Sequence, residues 1–314
     1  MAATESGPEF SVVISCLNEE ATVGEFLARV HAAMLPLQRS FEIVAVDDGS
    51  SDATFRVLTS EMAKVPSLTK IVRFYRNSGQ AAGVTAAICG ARGRNFVMMD
   101  SDLQLRPEEL PMLLAEFDQG YDVVTGYRAQ RKDPLRRRFM SGIANFALRQ
   151  AAGVRVRDFG CTFKIYRGSL LRAFDLGPHN TIRQTRVLAM AGSIREVAVT
   201  HLPRKVGRSG WTFPKLLSFL IDNLIGATGR IFQKIAFAAL SIALLLVLRM
   251  VLGIWFEGRF IGEVSQGLIL NALFFWSLVI VGLICLVGEF NSQLFRRLGG
   301  TPAYVIKEVC ERCS

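Results

Sequence analysis

Residues 264–288 contain no Asp, Glu, Lys or Arg. About 20 apolar residues of helix cross the roughly 30 Å of hydrocarbon in a bilayer. A buried core helix is the simpler reading, but this run is too long and too evenly apolar for one. Residues 235–256 are also apolar, interrupted by Arg249. A charge at mid-bilayer costs roughly 3 kcal/mol, but Arg249 lies toward the far end, where its stem can snorkel to the interface. The link 257–263 is short and slightly acidic. Arg230 and Lys234 flank the pair on one side, Arg296 and Arg297 on the other. Positive flanks stay in the cytoplasm, so the pattern predicts a two-helix transmembrane hairpin with both ends cytoplasmic. Residues 211–232 mix Trp211, Phe213, Leu216, Leu220 and Leu224 with Lys215, Asp222 and Arg230 at roughly helical spacing. That suits helices lying on the membrane surface, or equally helices packed on the preceding domain.

The remainder reads as a soluble domain. Residues 1–8 are polar and do not resemble a signal peptide, so the domain is expected in the cytoplasm. Hydrophobic residues make up 50% of the 314 positions and charged ones 20%, which excludes a disordered chain. The net charge of +10 points to an anionic partner: nucleic acid, a phosphate-rich ligand or an anionic membrane. Six scattered cysteines fit a reducing compartment better than a disulfide scaffold. The pair Cys310 and Cys313 lacks the second pair that a zinc site needs.

Within the first two hundred residues, short apolar runs alternate with helical spacing. Strands are expected at 10–16, 41–46, 69–75, 95–99 and 121–125. Helices are expected at 22–34, 52–63, 80–92 and from Pro107 onward. Such alternation implies a mostly parallel sheet with helices on both faces, whose ligands bind beyond the carboxyl ends of the strands.

Polar clusters sit at those ends. Asp47-Asp48-Gly49-Ser50-Ser51-Asp52 follows a strand and starts a helix. Ser51 or Asp52 can cap that helix, but two adjacent aspartates exceed what a cap needs. Asp100 and Asp102, two apart at a strand end, are expected on one side. Their repulsion calls for a cation, and a hard divalent ion such as Mg²⁺ or Mn²⁺ bound with diphosphate oxygens fits. Arg128, Arg131, Lys132, Arg136, Arg137 and Arg138 surround Asp133 alone. Arginine forks suit phosphate oxygens, although a solvated charged face is the ordinary explanation of such a run. The segment 201–210 is again basic, with Gly207 and Gly210 suiting a mobile loop.

In order along the chain come Val13-Ile14-Ser15-Cys16-Leu17-Asn18-Glu19-Glu20, the 47–52 run, Arg76-Asn77-x-Gly79 and Asp100-Ser101-Asp102-Leu103-Gln104. Arg128, Asp158-Phe159-Gly160-Cys161-Thr162-Phe163-Lys164 and His201-x-x-Arg204-x-x-Gly207-x-Ser209 follow. This order resembles the membrane-anchored polyprenyl-phosphate glycosyltransferases of glycosyltransferase family 2, relatives of dolichyl-phosphate mannose synthases and bactoprenol glucosyltransferases. The resemblance covers nearly the whole chain. It implies a GT-A-type, Rossmann-like sheet over residues 1–210, membrane-surface helices over 211–234, two transmembrane helices over 235–288 and a cytoplasmic tail over 289–314. It also implies a multi-pass protein of the cell inner membrane and a homo-oligomer.

The implied reaction is inverting transfer of a sugar from a nucleoside-diphosphate sugar to a polyprenyl phosphate. Mg²⁺ or Mn²⁺ on Asp100 and Asp102 would stabilise the leaving diphosphate. Asn18, Glu19, Asp47, Asp48, Asn77 and Gln104 would hold the nucleotide sugar. The acceptor phosphate is already anionic at neutral pH, so it needs positive charge rather than a general base. Arg128, Arg137, Ser141 and Arg204 are the candidates. Asp158 matches an aspartate proposed as a base, with orientation of a neighbouring arginine as the alternative. The chain departs from the family pattern at Ser15 and Leu17, where Pro and Tyr are usual, and at Gly210-Trp211 in place of Lys-Tyr. A polysaccharide synthase acting on a glycan acceptor is the rival enzyme, but the chain lacks that group's Gln-x-x-Arg-Trp signature. A membrane-anchored nucleic-acid binder would explain the charge but not the aspartate clusters, so nucleic acid is not an expected partner.

Overall fold

A computed structural model describes residues 7–129, 149, 153–154, 156–203 and 302–312, together with scattered helical positions between 273 and 294. The chain divides into two compact units, one of 1–227 with 302–314 and one of 228–301.

The first unit is built on an eight-stranded sheet. Its strands are β1 (Phe10–Cys16), β2 (Phe41–Asp47), β3 (Leu68–Phe74), β4 (Asn95–Met98), β5 (Val123–Arg128), β6 (Lys164–Tyr166), β7 (Ile194–Val199) and β8 (Ile306–Glu311), in the order β7-β5-β6-β4-β1-β2-β3-β8. β1 pairs in parallel with β2 and β4, β2 with β3, and β5 with β7. β6 runs antiparallel to β4 and β5, and β8 antiparallel to β3. The mostly parallel reading therefore holds, with two reversed strands that the sequence pattern did not reveal.

Burial on both faces explains why the early strands are continuous apolar runs rather than alternating ones. Phe10, Val12, Ile14, Ile43, Ala45 and Ile71 pack on one face with helix α1 (Val23–Met34) and α4 (Leu110–Phe117). Helix α2 (Thr54–Lys64) adds Leu58 to the same cluster. Val13, Val44, Val46, Val72 and Met98 pack on the other with α3 (Gln80–Gly90). Helix α3 is made of small residues because it lies close to the sheet: a Cβ on Gly83 would collide with the Ser15 side chain. Pro107 opens a 3-10 turn, Pro107–Glu109, that leads into α4.

The segment expected as a tail behaves differently. β8 closes the β3 edge, Tyr304 stacks on Phe74 at 4.8 Å, and Lys70 pairs with Glu311 at 2.8 Å. Its six residues, Ile-Lys-Glu-Val-Cys-Glu, show no strand alternation and are mostly exposed, so they make a poor strand by pattern alone; the open β3 edge supplies the hydrogen bonds.

The expected membrane-surface helices at 211–234, the first span and the 257–263 link lie outside the described residues. Among the described residues no helix is long and apolar enough to cross a membrane. Those described between 273 and 294 are helical, and Leu273, Ile280, Leu283, Ile284, Val287, Phe290 and Leu294 are all exposed.

Candidate active site

The parallel strands deliver their carboxyl ends to one edge of the sheet, where Cys16 pairs with Asp47 and Asp47 with Arg73. The loops after β1 and β2 are latched together there. Asn18 adopts a left-handed backbone, φ 55°. Its Oδ1 accepts from the Ser51 amide at 2.9 Å and the Ser51 hydroxyl at 3.2 Å. The Asn18 amide donates to Ser50 Oγ at 3.0 Å, the Glu19 amide to Thr54 Oγ1 at 2.8 Å, and Glu20 Oε2 accepts from the Ala53 amide at 2.8 Å. The Glu19 carboxylate accepts from Thr22 Oγ1 at 2.8 Å. Asp52 does support the start of α2, accepting from the Thr54 amide at 2.9 Å.

The adjacent aspartates 47 and 48 divide their labour. Asp48 is buried and spends both oxygens on the loop before α3, accepting from the Ser78 amide at 2.7 Å and the Gly79 amide at 2.9 Å. Burial raises its pKa against those two donors. Asn77 Oδ1 accepts from the same Gly79 amide at 3.0 Å. Gly49, φ +70°, sits directly on the backbone of Arg76 and Asn77, where a side chain would collide. The Asp48-Gly49 pair thus shapes the Arg76-Asn77-x-Gly79 turn. Asp47 is fully buried; its Oδ1 accepts from the Ser50 amide at 3.0 Å. Its Oδ2 has no hydrogen-bond partner and faces Arg73 Nε at 3.3 Å. Arg73 in turn lies over the Phe55 ring at 4.4 Å.

Strand β4 ends at Met98, so Asp100 and Asp102 lie beyond it in a turn. Strand alternation therefore does not place them on one side; the turn brings them near each other. Leu103, φ 57°, carries that turn, a conformation that costs a non-glycine residue about 1–2 kcal/mol. Asp102 accepts from the Gln104 amide at 3.1 Å. Asp100 is held by Gln80 Nε2 at 2.5 Å and Thr162 Oγ1 at 2.8 Å. Burial, and next the charge of Asp102, push the Asp100 carboxyl up to about 6. Beneath this cluster, burial keeps the Cys16 thiol protonated, its pKa pushed up to about 12.

Arg128 and Asp158 form a two-pronged ion pair, Nε to Oδ2 at 2.7 Å and Nη2 to Oδ1 at 2.8 Å. Asp158 is buried and also accepts from the Gly160 amide at 3.2 Å. Lys164 is fully buried beside them; its ammonium donates to the carbonyls of Phe159 and Cys161. Desolvation lowers its pKa. The Gln104 carbonyl accepts from the Leu202 amide at 2.8 Å, and Leu105 bridges His201. The aspartate turn is thereby joined to the segment that leads into residues 204–210. Arg137, Ser141 and Arg204 lie outside the described residues.

Residues 11–176 match the model of the glycosyl transferase family 2 domain. The chain belongs to glycosyltransferase family 2. An undecaprenyl-phosphate 4-deoxy-4-formamido-L-arabinose transferase of Pseudomonas aeruginosa is 33% identical over 308 residues, covering 95% of this chain and 89% of the relative. A dodecaprenyl-phosphate galacturonate synthase of Rhizobium johnstonii is 30% identical over 314 residues, covering 96% and 93%. The fold is shared with glucosyl-3-phosphoglycerate synthase of Mycobacterium tuberculosis, whose crystal structure holds Mn²⁺, UDP and glucosyl-3-phosphoglycerate. The TM-score is 0.52 at 18% identity, over 71% of this chain and 81% of that one. The sheet of this family 2 member is accordingly of the GT-A type.

The donor set suits a hard divalent ion. Among the described residues no group of three or more His, Cys, Asp or Glu side chains gathers to hold a metal. A pair of carboxylates completed by diphosphate oxygens and water is the arrangement such ions accept. Sequence reasoning missed Gln80, Thr162, Arg73 and Lys164 as neighbours of these aspartates. The one signal was Lys164, a charge inside the apolar run Phe163–Tyr166.

Proposed function

We propose that this chain transfers a sugar, with inversion, from a nucleoside-diphosphate sugar to a polyprenyl phosphate at the cytoplasmic face of the inner membrane. The observation that carries the reading is the coupled pair Asp100 and Asp102 beyond β4, in a chain similar over nearly its whole length to polyprenyl-phosphate sugar transferases. Asp100 and Asp102 would hold Mg²⁺ or Mn²⁺, which when bound supplies Lewis-acid stabilisation of the departing diphosphate. Asp47, closed off from solvent and paired with Arg73, would hold the nucleoside by fixing the loop on which it rests. Asn18, Glu19, Asp48 and Asn77 shape the loops around it, and Gln104 carries the turn of Asp102.

The acceptor is a phosphate monoester and attacks as an anion, so no side chain need remove a proton from it. With both oxygens of Asp158 taken by Arg128, orientation of that arginine explains Asp158 better than base catalysis does. Arg128 with Arg137, Ser141 and Arg204 would hold the acceptor phosphate beside the leaving diphosphate, offsetting the repulsion of two anions.

Connectivity and exposure support membrane attachment. Segment 228–301 leaves the first unit and returns to it, and β8 pairs with β3. A segment anchored at both ends to one folded unit crosses a bilayer an even number of times, and two crossings over 235–288 match the charge pattern. Within that range the exposed apolar side chains from Leu273 to Val287 suit hydrocarbon.

The decisive experiment incubates purified protein with polyprenyl phosphate and a panel of sugar nucleotides, then reads the lipid by mass spectrometry. A glycosylated lipid phosphate is expected. Sugar transferred only to a glycan, or donor hydrolysed with no lipid product, would overturn the assignment.

A further inference from the structure

Asp100 is gripped by side chains from two separate elements. Gln80, the first residue of α3, donates Nε2 to Oδ1 at 2.5 Å, and Thr162, just before β6, donates Oγ1 to Oδ2 at 2.8 Å. A carboxylate turns easily about its last torsion. Donors on both oxygens, from residues 20 and 62 positions away, fix the plane of the group. Neither contact is a helix cap or a local turn. Thr162 is itself held: it is buried, and the Lys164 ammonium ties the carbonyls of Phe159 and Cys161 on the turn that carries it. That same turn begins at Asp158, the partner of Arg128. One short segment, 158–164, therefore sets both the carboxylate on the donor side and the arginine on the acceptor side.

We infer that Gln80 and Thr162 are positioning residues that orient the Asp100 carboxylate toward the nucleotide diphosphate and its metal, with Lys164 fixing the turn that presents Thr162. The inference rests on the donor-site reading of Asp100 and Asp102 given above.

The test measures UDP binding by calorimetry with and without Mn²⁺ for wild type, Thr162→Val, Thr162→Ser and Gln80→Met, with melting temperature and acceptor KM alongside. Loss of a hydrogen bond to a charged group predicts about tenfold weaker UDP binding for Thr162→Val in Mn²⁺. Thr162→Ser should restore it to within about threefold, since the hydroxyl remains. Acceptor KM should not move. Gln80 is exposed, so Gln80→Met keeps the fold and carries the same prediction should Thr162→Val unfold. Native melting with unchanged UDP affinity in both arms, for both Thr162→Val and Gln80→Met, overturns the inference. If wild-type UDP affinity ignores Mn²⁺, the metal reading of the pair fails instead. The positioning role then stands only if Thr162→Val weakens metal-free binding, and falls if it does not.

Discussion

Carboxylates sit at both ends of the parallel strands, in opposite circumstances. At the amino-terminal ends Glu42 is 2% exposed. Its Oε1 accepts from Ser11 Oγ at 2.6 Å, the Arg92 amide at 2.5 Å and the Gly93 amide at 3.1 Å. Its Oε2 accepts from Thr69 Oγ1 at 3.1 Å and Arg92 Nε at 3.3 Å. At the carboxyl-terminal ends Asp47 keeps a buried oxygen without a hydrogen bond, and Asp100 is pushed up to about 6 beside Asp102. A buried charge costs folding energy unless donors surround it. Glu42 has those donors within the fold and braces three strands, β1, β2 and β3, to the loop that leads into β4. The carboxyl-end aspartates are less fully supplied: one oxygen of Asp47 has only Arg73 opposite it, and Asp100, though held by Gln80 and Thr162, stands against the charge of Asp102 and suits a cationic ligand. Burial alone does not mark a site; unmet demand for positive charge or donors does.

The strongest test of that contrast lies at the aspartate turn. Asp102→Asn is expected to cut transfer by about a hundred- to a thousandfold, in the range of lost transition-state charge stabilisation, with an unaltered melting temperature. Asp100→Asn should be comparably harmful to transfer. Either variant working at full rate, or transfer indifferent to excess chelator, would remove the metal role.

Glu42 should behave the opposite way. Glu42→Ala leaves the Ser11 hydroxyl and the Arg92 and Gly93 amides without their acceptor, at about 1–3 kcal/mol each a combined loss of about 3–5 kcal/mol. That corresponds to a melting temperature lower by roughly 6–20 °C for a domain of this size. Donor KM of the folded fraction should stay at its wild-type value, measured below the new transition. A variant that melts normally would erase the distinction between the two ends.

Arg128 and Asp158 lie between these extremes, being both paired and placed at the site edge. A double-mutant cycle with Arg128→Ala and Asp158→Ala should give a coupling of about 1–3 kcal/mol in stability, with the double variant no slower than Arg128→Ala alone. A further drop in kcat on adding Asp158→Ala would instead support a proton-transfer role for Asp158.

The smallest effect concerns thiols. Burial pushes Cys16 up to about 12 and Cys161 up to about 11, whereas Cys89 is exposed. A raised thiol pKa means less thiolate at a given pH, about one part in ten thousand for Cys16 at pH 8. Iodoacetamide at that pH should label Cys89 and spare Cys16 and Cys161 until denaturant is added, as read by peptide mass mapping. Labelling of Cys16 in the native protein would show that the floor of the site opens.

Strands β1 to β4 and helices α1 to α4 were legible because their signals are local. The early strands are buried on both faces and read as apolar runs, and each is followed by a polar cluster. The aspartate clusters were legible for the same reason. β6 is three residues long and contains Lys164, and β8 is exposed at an edge; neither leaves an apolar pattern to read. Asp48 shows the limit at the site itself. Its place beside Asp47 suggested a shared ligand, yet its oxygens serve the amides of Ser78 and Gly79, thirty positions away.

By itself the sequence determined which strand ends carry acid and which later segments carry base, and that the charge-free run 264–288 stands apart from the α/β portion. These are properties of neighbours along the chain: periodicity, run length and charge order. Tertiary structure decided which acids are spent and which remain available. Glu42 draws its donors from Ser11, Thr69, Arg92 and Gly93, and Asp100 from Gln80 and Thr162. Hydrogen bonds act over about 3 Å in space, whatever the separation in sequence. Only the folded sheet brings those donors within reach and so separates a structural carboxylate from one suited to a ligand.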